Sequence, residues 1–179
     1  MAKRRKISTL LYFSACLSSM ILLSSCSLVK TPLQSSGSGF VQDGFLKYQR
    51  IAILPFEGDE TGEVTDAFSL SFRNKFNHMD IVGRKELRGI FRRQDLQLGQ
   101  LSKDARTRIG REYDVDAFVI GSIYYPSISR WLLQIQIVDT MTGEILGRSL
   151  AEVDYMGDLG FKEGCELAVQ NLRPAGRQE

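Results

Sequence analysis

The side chains that most often perform catalysis are scarce in this sequence. His78 is the only histidine, so a Ser-His-Asp triad or a histidine-rich metal site would depend on one imidazole. The GxSxG, HExxH, GxxxxGK and GxGxxG motifs are absent. The acidic loop at residues 57–63 lacks the spacing of an EF-hand, and turn formation before a strand explains Asp114 and Asp116. The sequence therefore predicts no enzymatic activity, no metal site and no cofactor.

One cysteine stands in a context that predicts covalent modification. The residues Leu23-Ser24-Ser25-Cys26 resemble a bacterial lipobox, in which small residues precede a cysteine that is acylated and becomes the mature N-terminus. They close a segment that begins with the basic run MAKRRK and continues through residues 7–25 without a charge, the layout of a secretory signal peptide. An uncleaved membrane anchor is the alternative, since a spanning helix needs about 20 apolar residues. We predict a lipoprotein signal peptide over residues 1–25 and lipidation at Cys26.

The residue after Cys26 predicts the destination. Ser27 stands where lipoproteins retained in the inner membrane often carry aspartate, so the sorting rule predicts the periplasmic face of the outer membrane. Several acyl chains would anchor the protein firmly, whereas a single chain binds only marginally. Cys16 would leave with the signal peptide, and Cys165 would remain alone on the apolar face of the last predicted helix. No disulfide and no reactive thiol are expected in the mature chain.

Length and composition favour one globular domain. The chain has 179 residues, of which 43% are hydrophobic and 25% charged, close to the average for globular proteins. Its formal net charge is +2, but Lys3, Arg4, Arg5 and Lys6 are four of the 23 basic residues. Without residues 1–25, 19 basic residues face 21 acidic ones, a net charge of −2. The body therefore lacks the basic charge of a nucleic-acid-binding protein, and the secretory signal argues against such a partner as well.

The hydrophobic periodicity predicts an α/β sandwich. Residues 26–49 are predicted to be a lipidated cysteine and a tether, in which residues 35–39 form a flexible linker and Phe40, Phe45 and Tyr48 begin to dock. Residues 50–179 are predicted to form one three-layer-like domain with a mixed sheet, in the order βαβααβββα. Its predicted strands are 51–56, 79–82, 117–125, 131–138 and 144–154, and its predicted helices are 64–76, 84–94, 102–113 and 158–172. The four-residue spacing of Val64, Phe68, Phe72 and Phe76 predicts one helix face, and Ser102 is a candidate N-cap.

The last strands are predicted to differ in burial. Residues 117–125 are predicted to form a buried strand, whereas Trp131, Leu133, Ile135 and Ile137 alternate with Leu132, Gln134, Gln136 and Val138, which predicts a strand with one wetter face. Thr142-Gly143 predicts a hairpin turn into the strand at 144–154.

Two groups of side chains are candidates for an interface. Tyr124, Tyr125 and Trp131 lie near a predicted strand edge, and aromatic residues are enriched at protein interfaces. Burial in the domain core is the alternative for these three. The second group is Arg88, Arg92 and Arg93 on one predicted helix. A solvated helix face is the simple interpretation of the arginines, and a contact with lipid headgroups or a partner protein is the alternative.

Four sequence blocks together resemble a known superfamily. They are Arg50–Phe56 (RIAILPF), Asp80–Leu87 (DIVGRKEL), Ile109–Tyr113 with Asp116–Ile123 (IGREY, DAFVIGSI) and Val138–Leu146 (VDTMTGEIL). In this order they resemble the CsgG-like and TolB amino-terminal-like superfamily, over roughly residues 50–155. That superfamily includes the curli secretion channel, LpoB-type activators of peptidoglycan synthases and PelC-type lipoproteins that form rings.

The resemblance implies a non-enzymatic lipoprotein on the periplasmic side of the outer membrane. We expect a structural or accessory component of an envelope export or assembly machine, one that forms a ring by self-association or joins other envelope proteins. It implies neither a nucleic-acid partner nor a small-molecule substrate. The alternative is an LpoB-like monomeric activator of a peptidoglycan synthase, although residues 27–49 are short for a tether that crosses the peptidoglycan.

Overall fold

A six-stranded mixed sheet organises the residues that the computed structural model describes, which are 36–83, 86–89, 102–154 and 160–175. The strand order across the sheet is β1-β6-β5-β4-β2-β3. The strands are β1 (Ser36–Val41), β2 (Arg50–Ile53), β3 (Asp80–Val82), β4 (Ala117–Ser127), β5 (Arg130–Asp139) and β6 (Ile145–Asp154). The helices are a 3-10 helix (Asp43–Lys47), α1 (Glu63–Lys75), α2 (Lys103–Tyr113) and α3 (Gly160–Gln170), and residues 86–89 are also helical. None of the helices described here is long and apolar enough to cross a membrane.

The parallel half of the sheet, β3-β2-β4, is buried on both faces. The apolar run Ile51–Leu54 is buried throughout, as expected of a central strand between helices. On one face Ile51 and Ile53 join the core cluster of α1, whose Phe68 and Phe72 are fully buried. The other face packs in a second, smaller cluster with Leu87 and with Ile109 of α2. The other members of this cluster are Ala52, Leu54, Val82, Val115 and Phe118. This half is therefore a three-layer sandwich.

The antiparallel half, β4-β5-β6-β1, is covered by a helix on one face. Side chains of β5 alternate: Trp131, Leu133, Ile135 and Ile137 are fully buried in the cluster that includes α3. Gln134, on the opposite face of β5, is exposed. The predicted mixed α/β fold is confirmed, and so is the prediction that β5 has one wetter face.

Short-range sequence signals predicted the helices correctly over the residues that the structure describes. Ser102 is the N-cap of α2, and its hydroxyl accepts a hydrogen bond of 3.2 Å from the Ala105 amide. The predicted four-residue spacing of Val64, Phe68, Phe72 and Phe76 is the buried face of α1. Of the helix predicted at 84–94, residues 86–89 are helical, and residues 84–85 and 90–94 lie outside the described residues. The last helix is described from Gly160, two residues after the predicted start.

The flexible linker predicted at residues 35–39 is wrong for Ser36–Gly39. These residues belong to β1, which pairs antiparallel with β6 from Ser36 opposite Glu152 to Val41 opposite Gly147. The glycine content reflects close packing, because a Cβ on Gly39 would lie 2.7 Å from the Arg148 carbonyl oxygen and 2.9 Å from that of Asn171. The folded body therefore begins before Arg50, where the sequence analysis placed its start. Residues 1–25 and Cys26 lie outside the described residues.

Candidate functional site

Trp131 is a core residue, and its predicted contribution to an exposed interface is wrong. Its side chain is fully buried, and its ring lies 5.2 Å from the Phe161 ring of α3, centroid to centroid. The backbone of α3 comes so close at Gly164 that an added Cβ would lie 2.5 Å from Trp131 Cζ2. The physical reason is strand alternation, which places Trp131 on the same face of β5 as Leu133.

The two tyrosines of the same group are exposed. Tyr124 is 49% exposed and Tyr125 is 58% exposed, at the end of β4 where the pairing with β5 becomes irregular. Ile128, in the turn that joins the two strands, is 102% exposed. Their exposure agrees with a surface role, and their participation in an interface stays a prediction.

The structure describes only one of the three arginines that were predicted to form a basic surface. Arg88 is exposed on the helical residues 86–89, whereas Arg92 and Arg93 lie outside the described residues. A binding surface formed by these three arginines therefore stays a prediction.

One face of the antiparallel half of the sheet is exposed, and the sequence predicted it only in part. We call it the open sheet face: the side chains of β4, β5, β6 and β1 that point away from α1 and α3. Ile120 is 38% exposed, Leu150 41% and Phe40 37%, although all three are large apolar residues. The strand registers place Ser122, Gln134 and Leu150 in one row and Ile120, Gln136, Arg148 and Phe40 in the next. The face thus has apolar residues among uncharged and charged polar ones, as protein interfaces do.

The charged end of the open sheet face lies next to the β4–β5 turn. Arg130 Nη1 lies 2.8 Å from Glu152 Oε1, and both side chains remain at least one-third exposed. Most of this surface was not predicted from the sequence. Phe40 was assigned to the tether, and Ile120 was assigned to a strand that was predicted to be buried. Only the alternation of Gln134 and Gln136 in β5 signalled an open side.

Asp116, one of the carboxylates considered for catalysis, already has structural partners. Asp116 Oδ2 accepts hydrogen bonds from the backbone amides of Gln49 (2.8 Å) and Arg50 (2.9 Å). The Arg50 guanidinium also lies 3.0 Å from Asp80 and 2.7 Å from Glu86. Among the described residues, no group of three or more His, Cys, Asp or Glu side chains could hold a metal ion. These carboxylates join β2 to its neighbours.

The remaining nucleophile is buried. Cys165 is fully buried on α3, as its helical spacing predicts, and its thiol donates to the Val64 carbonyl oxygen at 3.5 Å. Burial, assisted by the nearby carboxylates of Asp59 and Glu166, raises the pKa of the thiol to about 12. The thiol therefore stays protonated at neutral pH, and it is a poor nucleophile.

Comparison with known proteins identifies the fold. The chain resembles the PelC dodecamer from Paraburkholderia phytofirmans with a TM-score of 0.51 and 8% identity, over 77% of this chain and 94% of that chain. It also resembles the LpoB C-terminal domain from Salmonella enterica (TM-score 0.49, 15% identity, 59% of this chain and 82% of that chain). A lipoprotein from Neisseria meningitidis gives a TM-score of 0.46 and 11% identity, over 61% of this chain and 83% of that chain. No family model matches the chain, and no curated protein matches it.

The likeness to PelC defines the class of structure. The two chains share an α/β fold, and the match spans nearly all of PelC. An identity of 8% shows a shared fold and leaves function to be argued from surfaces. The PelC-type fold that the sequence blocks implied is therefore present, and membership of the larger superfamily stays a prediction.

Proposed function

We propose that this chain is a non-enzymatic lipoprotein on the periplasmic face of the outer membrane, and that it assembles with copies of itself as part of an export or assembly machine. Acylation at Cys26 would supply the membrane anchor. The fold supports self-association, because the similar PelC structure is a dodecamer. A head-to-tail contact between identical copies closes into a ring when its rotation allows it.

The open sheet face is the observation that carries the proposal. Three large apolar side chains, Phe40, Ile120 and Leu150, lie on it between 37% and 41% exposed, whereas Trp131, Leu133, Ile135 and Ile137 on the opposite face of the sheet are fully buried. Burial of apolar area is the main driving force for association. The surrounding Ser122, Gln134 and Gln136 carry no charge. Arg148 lies between Gln136 and Phe40, so a second surface that covers this row must place an acceptor against its guanidinium.

The chemistry of the titratable groups supports the non-enzymatic part. A nucleophile needs a nearby base or a lowered pKa, and Cys165 has a raised one. Asp116 already accepts two backbone hydrogen bonds. The histidine His78 is exposed in the turn between α1 and β3.

Acylation is tested by replacing Cys26. We expect the full chain, expressed in a Gram-negative host, to carry acyl groups on Cys26 by mass spectrometry and to fractionate with the outer membrane. Cys26→Ser should abolish both, whereas Cys165→Ser should retain the acyl groups, since Cys165 lies in the folded core. An unmodified wild-type Cys26 in the membrane fraction would contradict a lipid anchor.

Self-association is tested by native mass in detergent. We expect the full acylated chain to form a large species, and Leu150→Lys to reduce it by placing a charge on the open sheet face. Leu70→Lys is the matched control, because Leu70 is 61% exposed on α1, away from that face. Equal assembly of both variants would contradict the assigned face. A monomeric wild-type chain would contradict self-association and favour the synthase-activator alternative.

A further inference from the structure

We infer that the β4–β5 hairpin tip, residues 125–130, rests on the lipid surface that holds the anchor. The inference builds on the proposed acylation of Cys26. It adds a second contact with the membrane and fixes which end of the sheet faces the lipid. The argument rests on the strand register, the length of chain before β1 and the side chains of the hairpin tip.

The register places the start of β1 at the same end of the sheet as the hairpin tip, with β6 between β1 and the hairpin. Ser36 pairs with Glu152 on β6, Glu152 pairs with Leu132 on β5, and Leu132 pairs with Tyr124 on β4. These four residues form one row across the antiparallel half of the sheet. The chain from the anchor therefore enters the body at the end of the sheet where the β4–β5 turn lies.

The chain between anchor and body is short. Nine residues, 27–35, separate Cys26 from Ser36. Fully extended, the chain from Cys26 to Ser36 reaches at most about 36 Å. The sheet continues past the shared row, because Ser127 of β4 pairs with Arg130 of β5, and Arg130 pairs with Asp154 of β6. Among the described residues, the turn at 128–129 thus lies beyond the last paired row at the anchored end of the sheet.

The side chains of the hairpin tip suit a lipid interface. Ile128 is 102% exposed and Tyr125 is 58% exposed, and the segment from Tyr124 to Arg130 contains no acidic residue. Tyrosine is enriched at the membrane–water boundary, where its ring is buried and its hydroxyl remains hydrated. An exposed isoleucine next to it would enter the same layer. Arg130 already pairs with Glu152, so the apolar residues are the ones that define the contact.

The other end of the sheet provides a matched control. Met141 lies in the β5–β6 turn and is 43% exposed, so it is also an apolar residue at a hairpin tip. The ten residues of β5 separate the two turns, a distance of about 30 Å. If the β4–β5 tip faces the lipid, Met141 must face away from it.

The experiment compares a polarity-sensitive fluorophore at these two positions. Ile128→Cys and Met141→Cys are labelled in the full acylated chain and reconstituted in vesicles of phosphatidylethanolamine and phosphatidylglycerol. Cys165 should not react, since it is fully buried and the pKa of its thiol is about 12. We expect the fluorophore at position 128 to shift to shorter wavelength and to be quenched by nitroxide-bearing lipids. The fluorophore at position 141 should be quenched by aqueous iodide instead.

The outcomes separate the inference from the proposal beneath it. A chain without acyl groups that does not float with the vesicles would overturn the anchor, and the inference with it. A floating, acylated chain whose position 128 is as accessible to iodide as position 141 would overturn the inference alone. A blue-shifted fluorophore at 128 that nitroxide lipids do not quench would also overturn it, because that result indicates a contact with protein.

Discussion

The two halves of the sheet differ in how many faces are covered, and the connections between strands explain why. In the parallel half, β2 and β3 are joined through α1, and the chain returns from β3 to β4 through α2. Such crossovers require intervening helices, which then cover both faces. In the antiparallel half, β4, β5 and β6 are joined by turns alone, and α3 covers one face. Coverage is thus a consequence of connectivity.

The residue patterns follow the same division. β2 carries the continuous apolar run Ile51–Ile53, as a strand buried on both sides requires. In β5, fully buried apolar residues alternate with the more exposed Leu132, Gln134 and Gln136, as a half-covered strand requires. β4 belongs to both halves, and its exposure changes along its length from buried Phe118 to 38% exposed Ile120. One strand therefore contains the boundary between the covered face and the open one.

The largest expected effect tests that boundary directly. Phe118 and Ile120 lie two residues apart on the same face of β4, but Phe118 is fully buried with Ile109 of α2. We expect Phe118→Ala to lower the free energy of unfolding by about 3–5 kcal/mol, the usual cost of emptying an aromatic site in a core. Ile120→Ala should cost about 1 kcal/mol or less, because the side chain is already partly hydrated. Urea unfolding of both variants measures the difference.

Equal losses for the two variants would break the comparison. They would mean that Ile120 is as well packed as Phe118 and that the open sheet face is covered in solution. If the cover is a second copy of the chain, the loss for Ile120→Ala should fall on dilution, whereas the loss for Phe118→Ala should not.

The sequence predicted the covered half better than the edges. The four-residue spacing from Val64 to Phe76 and the Ser102 cap are local signals, and both produced the expected helices. The turn at Thr142-Gly143 also formed, because Asp139 Oδ1 accepts hydrogen bonds from the Met141 and Thr142 amides, and Gly143 adopts a φ of 78°. Each of these features depends on residues close together in the chain.

The main incorrect prediction concerns contacts between residues that are far apart in the chain. β1 is rich in serine and glycine, a composition typical of linkers, and its strand pairing depends on β6, more than a hundred residues away. The incorrect prediction for Trp131 has a different cause. Its alternation with Leu132 and Gln134 already placed it on the buried face, so a consistent use of strand periodicity predicts its position. Trp131 was assigned to an interface because it is aromatic, although the alternation of β5 places its side chain on the buried face.

An intermediate effect is expected where α3 meets the covered face of β5. A Cβ on Gly164 would lie 2.5 Å from Trp131 Cζ2 and 2.8 Å from Val153 Cγ2, so Gly164→Ala forces the helix and strand apart. Overpacking costs about 1–3 kcal/mol. The gain in helix propensity from Gly to Ala offsets up to about 1 kcal/mol of it. We expect a net loss of about 1–2 kcal/mol in the free energy of unfolding, measured by urea denaturation.

The matched control for that substitution is Gly44→Ala. An added Cβ at Gly44 would have no heavy atom within 4 Å. Its free energy of unfolding should change by no more than about 0.5 kcal/mol. A Gly164→Ala variant as stable as Gly44→Ala would indicate that α3 packs loosely on the antiparallel half. The one covered face would then resemble the open one.

The smallest expected effect concerns the loop that positions α1 on the parallel half. Asp59 accepts hydrogen bonds from the Gly62 amide (2.9 Å), the Thr65 amide (2.7 Å) and the Thr65 hydroxyl (2.6 Å). Burial alone would raise the pKa of Asp59, but these hydrogen bonds outweigh it and hold the pKa below its ordinary value of 3.8. We expect Asp59→Ala to cost about 1 kcal/mol at neutral pH, as is usual for a lost helix cap.

The lowered pKa gives this prediction a pH dependence with a definite sign. The unfolded chain binds a proton on Asp59 at a higher pH than the folded chain does, so the stabilisation is complete above the ordinary pKa. It is lost as the pH falls below about 4 and through the lowered pKa of the folded state. The difference in unfolding free energy between wild type and Asp59→Ala should therefore shrink on acidification. Glu60→Ala, which removes an exposed carboxylate from the same loop, should change stability by less than about 0.5 kcal/mol. A difference for Asp59→Ala that stays constant from neutral to acidic pH would show that the charge of Asp59 does not hold α1 against the parallel half.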